Sequence, residues 1–316
     1  MTDPLRIALI GEGAMGATHA DTLARLDGAR ITLLVAKEPR RGSELARRHG
    51  IDEVTTHYET ILTRRDLDAV ILASPSTLHA KQALQAINAG LPCLVEIPAA
   101  LNFEDCKALA AAQRRAGVPL MVAHSRRFSP AHRILREHLQ NGRFHLQHLV
   151  SETYFFRREN LNMFGEPRDW TDNLLWHHAC HSIDLFTWLL EGHEFDVWGQ
   201  CGPPHSQLGI PMDMTVGMRS LTGGQLASMA LSFNNRGPFG GFYRYIGEEQ
   251  TYRVFRNTLT DSEDRTLTGN GDAFLEQDRA FLKAVRDGDT PESSIHSVLP
   301  AMSLLQRLQT IMSGQR

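Results

Sequence analysis

His177, His181 and Asp184 follow one another at i, i+4 and i+7 in a stretch that reads as a helix over 173–191. At that spacing three ionisable side chains share one helix face. His178 lies about 100° round the axis from His177 and addresses a different partner. A packed apolar core has no use for such a row, whereas a site that moves protons does. Neutral imidazole is a competent base near pH 7. His177 or His181 is the expected base, with His178 beside them and Asp184 orienting a ring or closing the contact between helix and sheet. Two other chemistries compete. The three groups could ligate a metal, but no second cluster with ligand spacing completes the set, so no metal is expected. Cys180 could form a thiohemiacetal, but its side chain points about 100° away from that of His181.

A second motif says what the base serves. Gly11-Glu12-Gly13-Ala14-Met15-Gly16 is GxGxxG, placed after an apolar strand over 5–10 and before a helix over 14–26. In that context the pattern predicts a dinucleotide site. Gly11 allows the tight turn, Gly13 lets the backbone approach a pyrophosphate, and Gly16 permits close packing of helix on strand. The start of the helix, at Ala14 and Met15, favours the anion. The second strand, over 30–35, ends in Ala36-Lys37-Glu38, followed by Arg40 and Arg41. An NAD-binding strand usually ends in an acidic residue. Ala36 or Lys37 stands there instead, and Lys37, Arg40 and Arg41 can neutralise a 2′-phosphate. NADP is therefore the expected cofactor, with NAD usable if Glu38 turns inward.

The elements that must position these residues fall into two sets. Strands over 5–10, 30–35, 69–73, 93–96 and 120–123 alternate with helices over 14–26, 43–49, 78–89 and 104–116, the pattern of a doubly wound parallel α/β sheet. After residue 124 come a helix over 130–140 and alternating stretches over 148–156, 212–221, 225–233, 242–246 and 252–257. These predict a mostly antiparallel open sheet in an α+β domain, followed by helices over 273–286 and 296–313. The expected division is a Rossmann domain over 1–124 and a substrate-binding and oligomerisation domain over 125–316. A homodimer or homotetramer is expected, and Met214, Val216, Met218, Met229 and Leu231 are candidates for its face; periodicity alone does not say whether that face meets helices or another subunit.

Further motifs resemble those of the glucose–fructose oxidoreductase and inositol dehydrogenase family. Ala73-Ser74-Pro75-Ser76-Thr77-Leu78-His79 is similar to its TPxxxH, Glu96-Ile97-Pro98 to its Glu-Lys-Pro, Arg127-Phe128-Ser129-Pro130 to its RFxP, and His181-Ser182-Ile183-Asp184 to its HxxD. The resemblance implies that Ser74, Pro75, Thr77, His79, Glu96 and Ile97 lie at the cofactor. It also implies two departures. The family lysine that assists proton transfer is Ile97, and the aspartate four residues before the family histidine is His177. The segments around Tyr154–Arg158, 165–168, 170–178 and 232–235 resemble one branch of the family, and that resemblance implies a small dicarboxylate substrate oxidised at a hemiacetal carbon.

Two carboxylates call for cations, and arginine forks suit them. Of the 33 basic residues 29 are arginine. Arg126, Arg127, Arg157, Arg158, Arg168 and Arg244 are the candidates for substrate contact, with Asn234 and Asn235 as hydrogen-bond donors or members of a turn. Neutral-site sugar or inositol oxidation, and a non-catalytic dinucleotide sensor that has lost its lysine, are the competing functions. A net charge of −3 gives no field for nucleic acid or an acidic membrane. No apolar run approaches the ~20 residues that span a bilayer, and the first apolar segment is too short for a signal peptide, so a cytoplasmic protein is expected. The four cysteines show no paired spacing.

Overall fold

The computed structural model describes residues 3–268 and 271–314. Backbone contacts divide the chain into two compact units: Met1–His124 with Asn162–Gly165 and Phe274–Leu299, and Ser125–Leu161 with Glu166–Ala273 and Pro300–Arg316.

In chain order the first unit opens with β1 (Leu5–Ile10), α1 (Ala14–Leu23), β2 (Ala29–Val35), α2 (Pro39–His49), β3 (Glu53–Thr55), α3 (Thr60–Thr63) and β4 (Ala69–Leu72). It continues with α4 (Ser76–Asn88), β5 (Cys93–Val95), α5 (Phe103–Ala116) and β6 (Leu120–Val122). The strands form one sheet in the order β3-β2-β1-β4-β5-β6, and every pairing is parallel. That is the doubly wound dinucleotide-binding order, whose direction reverses between β1 and β4. Both faces of the central strands are covered, and Ile7, Leu9, Val70 and Ile71 are fully buried. This is why those strands read as continuous apolar runs. β3 has three residues and α3 has four, too few for a periodic signal.

The second unit begins with a 3₁₀ turn at Ser125–Phe128, then α6 (Pro130–Gln140) and β7 (Leu146–Tyr154). A π-helical turn at Leu175–Ala179 leads into α7 (Cys180–Leu189). Then come β8 (Phe195–Cys201), β9 (Asp213–Ser220), β10 (Leu226–Ser232), β11 (Gly240–Gly247), β12 (Thr251–Phe255), β13 (Thr258–Thr260) and β14 (Thr266–Thr268). These eight strands form one sheet in the order β14-β13-β12-β11-β7-β10-β9-β8. Only the β7–β10 pairing is parallel. The chain ends in α8 (Ala273–Asp287) and α9 (Ile295–Ser313).

Three readings of the sequence are revised or completed by the structure. β8 was not visible in the sequence, because its inward row is Phe195, Val197 and Gly199. Gly199 has no side chain there, and a Cβ would sit 3.2 Å from Leu308 and 3.4 Å from Met312 of α9. Residues 274–299, expected in the second domain, belong to the first unit, where α8 supplies Asp278 to a buried histidine. Met214, Val216, Met218, Met229 and Leu231 are at most 7% exposed. The chain's own helices cover that face, so it is not available to a second subunit. The opposite face carries exposed Trp198, Leu226 and Arg244. No helix among the described residues is long and apolar enough to cross a membrane.

Candidate active site

The glycine loop has the geometry its spacing demands. Gly11 has φ +113°, and a Cβ there would lie 2.4 Å from the Ala73 carbonyl oxygen at the end of β4. A Cβ on Gly16 would lie 1.9 Å from the Gly11 carbonyl oxygen. Side chains at either position would push the loop off the sheet. Gly13 caps α1 in an extended conformation, and nothing stands within 4 Å of where its Cβ would be. The loop thus leaves open space before a helix N-terminus at the reversal point of the sheet, which fits a pyrophosphate. Ala14 and Met15 open that helix. Pro75 caps α4, with Thr77 exposed in its first turn.

Two expected cofactor residues act differently. His79 is buried, with Nδ1 2.9 Å from the Pro98 carbonyl and Nε2 2.7 Å from the Ser74 carbonyl. Burial lowers its pKa, and a neutral ring donates to one carbonyl at a time. His79 therefore braces one loop against another and does not present a ring nitrogen to a ligand. Glu96 accepts the Ile97 N–H at 3.1 Å and lies 3.1 Å from Nε2 of His19. Nδ1 of His19 lies 2.9 Å from Asp278, which also accepts the Thr22 hydroxyl. Burial disfavours the charged ring, but Asp278 and Glu96 outweigh it and raise the His19 pKa to about 10.

Folding therefore favours protonated His19. This contribution is complete below the ordinary value of 6.5 and is lost as pH rises through about 10. His19→Gln is expected to flatten the alkaline decline in stability measured by urea unfolding between those limits. The same slope in wild type and variant would show that the network carries no such linkage.

In the second unit the histidines occupy a widened turn. His177 and His178 lie in the π turn, and His181 follows in the first turn of α7. Such turns are frequent at functional sites, because the extra residue re-aims side chains. Nδ1 of His177 accepts the Asn173 backbone N–H at 3.1 Å. A backbone N–H can only donate, so the proton of the neutral His177 ring is on Nε2. The ring stacks on Trp170 at 5.7 Å. His178 places Nε2 3.1 Å from Asp172 and lies between Phe155 and Phe233, each 5.1 Å away. His181 is half-buried.

Asp184 is paired with an arginine. It is fully buried and accepts two bonds from Arg127, Nε at 2.8 Å and Nη2 at 2.6 Å. This removes Arg127 from the substrate candidates and Asp184 from the catalytic ones, since each neutralises the other inside the fold. It also takes both Asp184 oxygens from any metal. Among the described residues no group of three or more His, Cys, Asp or Glu is placed to hold one. Cys180 is fully buried.

Arg157 and Arg168 come together with His178 around Asp172. Burial alone would raise the Asp172 pKa, but the hydrogen bonds from His178 and Arg157 hold it well below the usual carboxylate range. The cluster sets two guanidiniums against one carboxylate. Arg168 stacks on Trp170 at 4.8 Å, and Trp170 stacks on His177, so the cations and the histidine turn form one array. Strand alternation explains the sorting. Phe155 and Arg157 turn toward Asp172 and His178, while exposed Arg158 packs over Phe156. Arg244 alternates with buried Tyr243 and Tyr245 and points to the open face of the sheet, away from the array. Asn234 is exposed and bonds Asp213, and Asn235 donates to the Pro238 carbonyl within a turn. Arg126 is half-buried over Tyr243, at 5.8 Å, with its Nε unpartnered. Asp172 is the member of the site that sequence reasoning missed. Its spacing of four from Arg168 was the available signal.

Comparison with known proteins fits this geometry. Residues 5–124 match the model of an oxidoreductase family with an NAD-binding Rossmann fold, GFO/IDH/MocA. Residues 130–270 match a C-terminal domain of bacterial oxidoreductases. The chain is 38% identical over 316 residues to 4-carboxy-2-hydroxymuconate-6-semialdehyde dehydrogenase of Sphingobium sp. strain SYK-6, covering 98% of this chain and 100% of that one. The chain belongs to the GFO/IDH/MocA oxidoreductase family. Inositol 2-dehydrogenase 2 of Paenarthrobacter aurescens is 25% identical, over 97% of each chain. A levoglucosan dehydrogenase solved with NADH and levoglucosan superposes with a TM-score of 0.86 at 19% identity, over 99% of this chain and 98% of that one. The protein is thus a nicotinamide-dependent dehydrogenase in fold and family. Against the family pattern its sheet order and glycine loop are regular, and its lysine position is not. Of the four lysines, Lys107 and Lys283 sit in exposed ion pairs with Glu104 and Asp287, and Lys81 is exposed on α4.

Proposed function

We propose that the protein oxidises the cyclic hemiacetal of 4-carboxy-2-hydroxymuconate-6-semialdehyde to the lactone 2-pyrone-4,6-dicarboxylate, a step of protocatechuate 4,5-cleavage, in the cytoplasm. The observation that carries this reading is the array in which Arg157, Arg168 and His178 share the single carboxylate of Asp172 beside His177. A surplus cation held against aromatic rings suits an anionic, planar substrate and gives a neutral sugar little. Similarity over the full length to a dehydrogenase of that name supports the same substrate class.

The reaction removes a hydride from the hemiacetal carbon and a proton from its hydroxyl, and the carbonyl of the lactone forms from the remaining electron pair. The bound nicotinamide dinucleotide supplies the hydride acceptor, held by Gly11, Gly13, Ala14 and Met15. Ile97 cannot take the proton. His177 has its Nδ1 committed to a backbone N–H, so its Nε2–H is a hydrogen-bond donor that fits a substrate carboxylate or ring oxygen. His178 is committed to Asp172. His181, one turn further along and at the position of the family-pattern histidine, is the base in this proposal.

The test is direct. Purified protein is mixed with either oxidised dinucleotide and the semialdehyde freshly released from protocatechuate by a ring-cleaving dioxygenase. Reduced-nicotinamide absorbance should rise and mass spectrometry should find the pyrone. Turnover of myo-inositol in place of the semialdehyde would overturn the assignment in favour of a polyol dehydrogenase. The proposal extends to a homodimer or homotetramer assembled through the open sheet face, a reading supported by exposed Trp198 and Leu226. Light scattering of Trp198→Glu should then give a smaller mass than wild type, and equal masses would dismiss that face.

A further inference from the structure

We infer that Glu12, the second residue of the glycine loop, is the acceptor for the adenosine ribose 2′-hydroxyl and selects NAD over NADP. This rests on the dinucleotide site described above and reverses the preference expected from Lys37, Arg40 and Arg41.

In doubly wound folds an acidic side chain at the end of β2 takes the ribose 2′-hydroxyl, and its charge excludes a 2′-phosphate. Here β2 ends at Val35 and is followed by Ala36, Lys37 and Glu38. Glu38 is not available for the role. Its carboxylate turns back to cap α2 and accepts Arg40 N–H at 3.2 Å and Arg41 N–H at 2.9 Å. Those bonds hold its pKa below the usual range.

The carboxylate at the strand end comes from Glu12 instead. Its Oε2 accepts the Lys37 N–H and its Oε1 the Glu38 N–H, each at 3.0 Å. Glu12 is 9% exposed, so this is a fixed arrangement and not a surface rotamer. The two bonds fasten the glycine loop to β2 at the place where the ribose is read. The nearby cations do not favour a 2′-phosphate in this setting. Nη2 of Arg41 lies 3.6 Å from Glu12 Oε1, and Arg40 reaches out to Glu44 at 3.3 Å. A 2′-phosphate would meet the Glu12 carboxylate before it met either guanidinium. A 2′-hydroxyl can donate to that carboxylate while its oxygens keep the two backbone bonds.

Binding titrations of the full-length protein with NAD+ and NADP+, without substrate, test this. Wild type should bind NAD+ more tightly than NADP+ by at least roughly tenfold. Glu12→Gln keeps the shape and one acceptor oxygen but removes the charge. It should narrow that ratio by roughly tenfold, mainly through tighter NADP+ binding. Glu12→Ala, at a loop position ahead of the Gly13 cap whose backbone needs no glycine, should narrow it as well and checks that the glutamine variant is not misfolded. Equal or tighter NADP+ binding by wild type, or an unchanged ratio in both variants, would overturn the role of Glu12. Failure of wild type to bind either dinucleotide would overturn the cofactor site itself, and this assignment with it.

Discussion

His181→Ala is expected to lower kcat by roughly 10²–10⁴-fold, the usual contribution of a positioned general base. KM should change little, because the proposed function gives substrate attraction to Arg157 and Arg168, which meet at Asp172. His177→Ala should behave differently. Its Nδ1 is held by the Asn173 N–H, and the proposed function makes it a donor to substrate, so its loss should raise KM more than it lowers kcat. The two variants therefore separate base from donor in one set of Michaelis measurements. A normal kcat for His181→Ala, with a collapsed kcat for His177→Ala, would exchange the two roles. The reason to expect a histidine base at all is Ile97, which puts an aliphatic side chain where the family pattern has its lysine.

Arg127→Ala should destabilise the protein by about 3–5 kcal/mol in urea unfolding, the range for breaking a buried ion pair. Arg127 is 2% exposed and Asp184 is 0% exposed, and the guanidinium meets both carboxylate oxygens. Removing one partner leaves an uncompensated charge buried away from solvent. The pair ties the 3₁₀ turn at Ser125–Phe128 to α7, the helix that carries His181. Replacing both residues by apolar ones, Arg127→Met with Asp184→Leu, should restore much of the lost stability, since neither charge is then left alone. An Arg127→Ala variant as stable as wild type would mean that the pair is structurally idle. A double variant less stable than Arg127→Ala would mean that the pair is itself stabilising.

The sequence carried the parallel sheet well because each of its central strands is buried on both faces and so leaves an uninterrupted apolar run. It carried the glycine loop because backbone approach and positive φ leave few alternatives to glycine at Gly11 and Gly16. It lost β8, whose inward row ends in Gly199, and it lost β3, which is only three residues long. It left open whether the Met214–Leu231 row meets helices or a second subunit. Alternation reports that one side of a strand is covered but not by what, and here the cover is the chain's own helices.

The site divides in the same way. Residue types and spacing were enough to determine a dinucleotide loop, a histidine-rich turn in place of a lysine, and an excess of arginine. Partnership was not legible. Hydrogen bonds join residues far apart in the chain, such as Arg127 and Asp184 or Arg157 and Asp172, and spacing along the chain says nothing about such pairs. Only the tertiary structure decided that Asp184 neutralises Arg127, and that Asp172 gathers two arginines and His178. It likewise decided that the carboxylate at the end of β2 belongs to Glu12. The physical reason is common to all three. A buried charge is assigned its role by the nearest group that can neutralise it, and that neighbour is chosen by the fold.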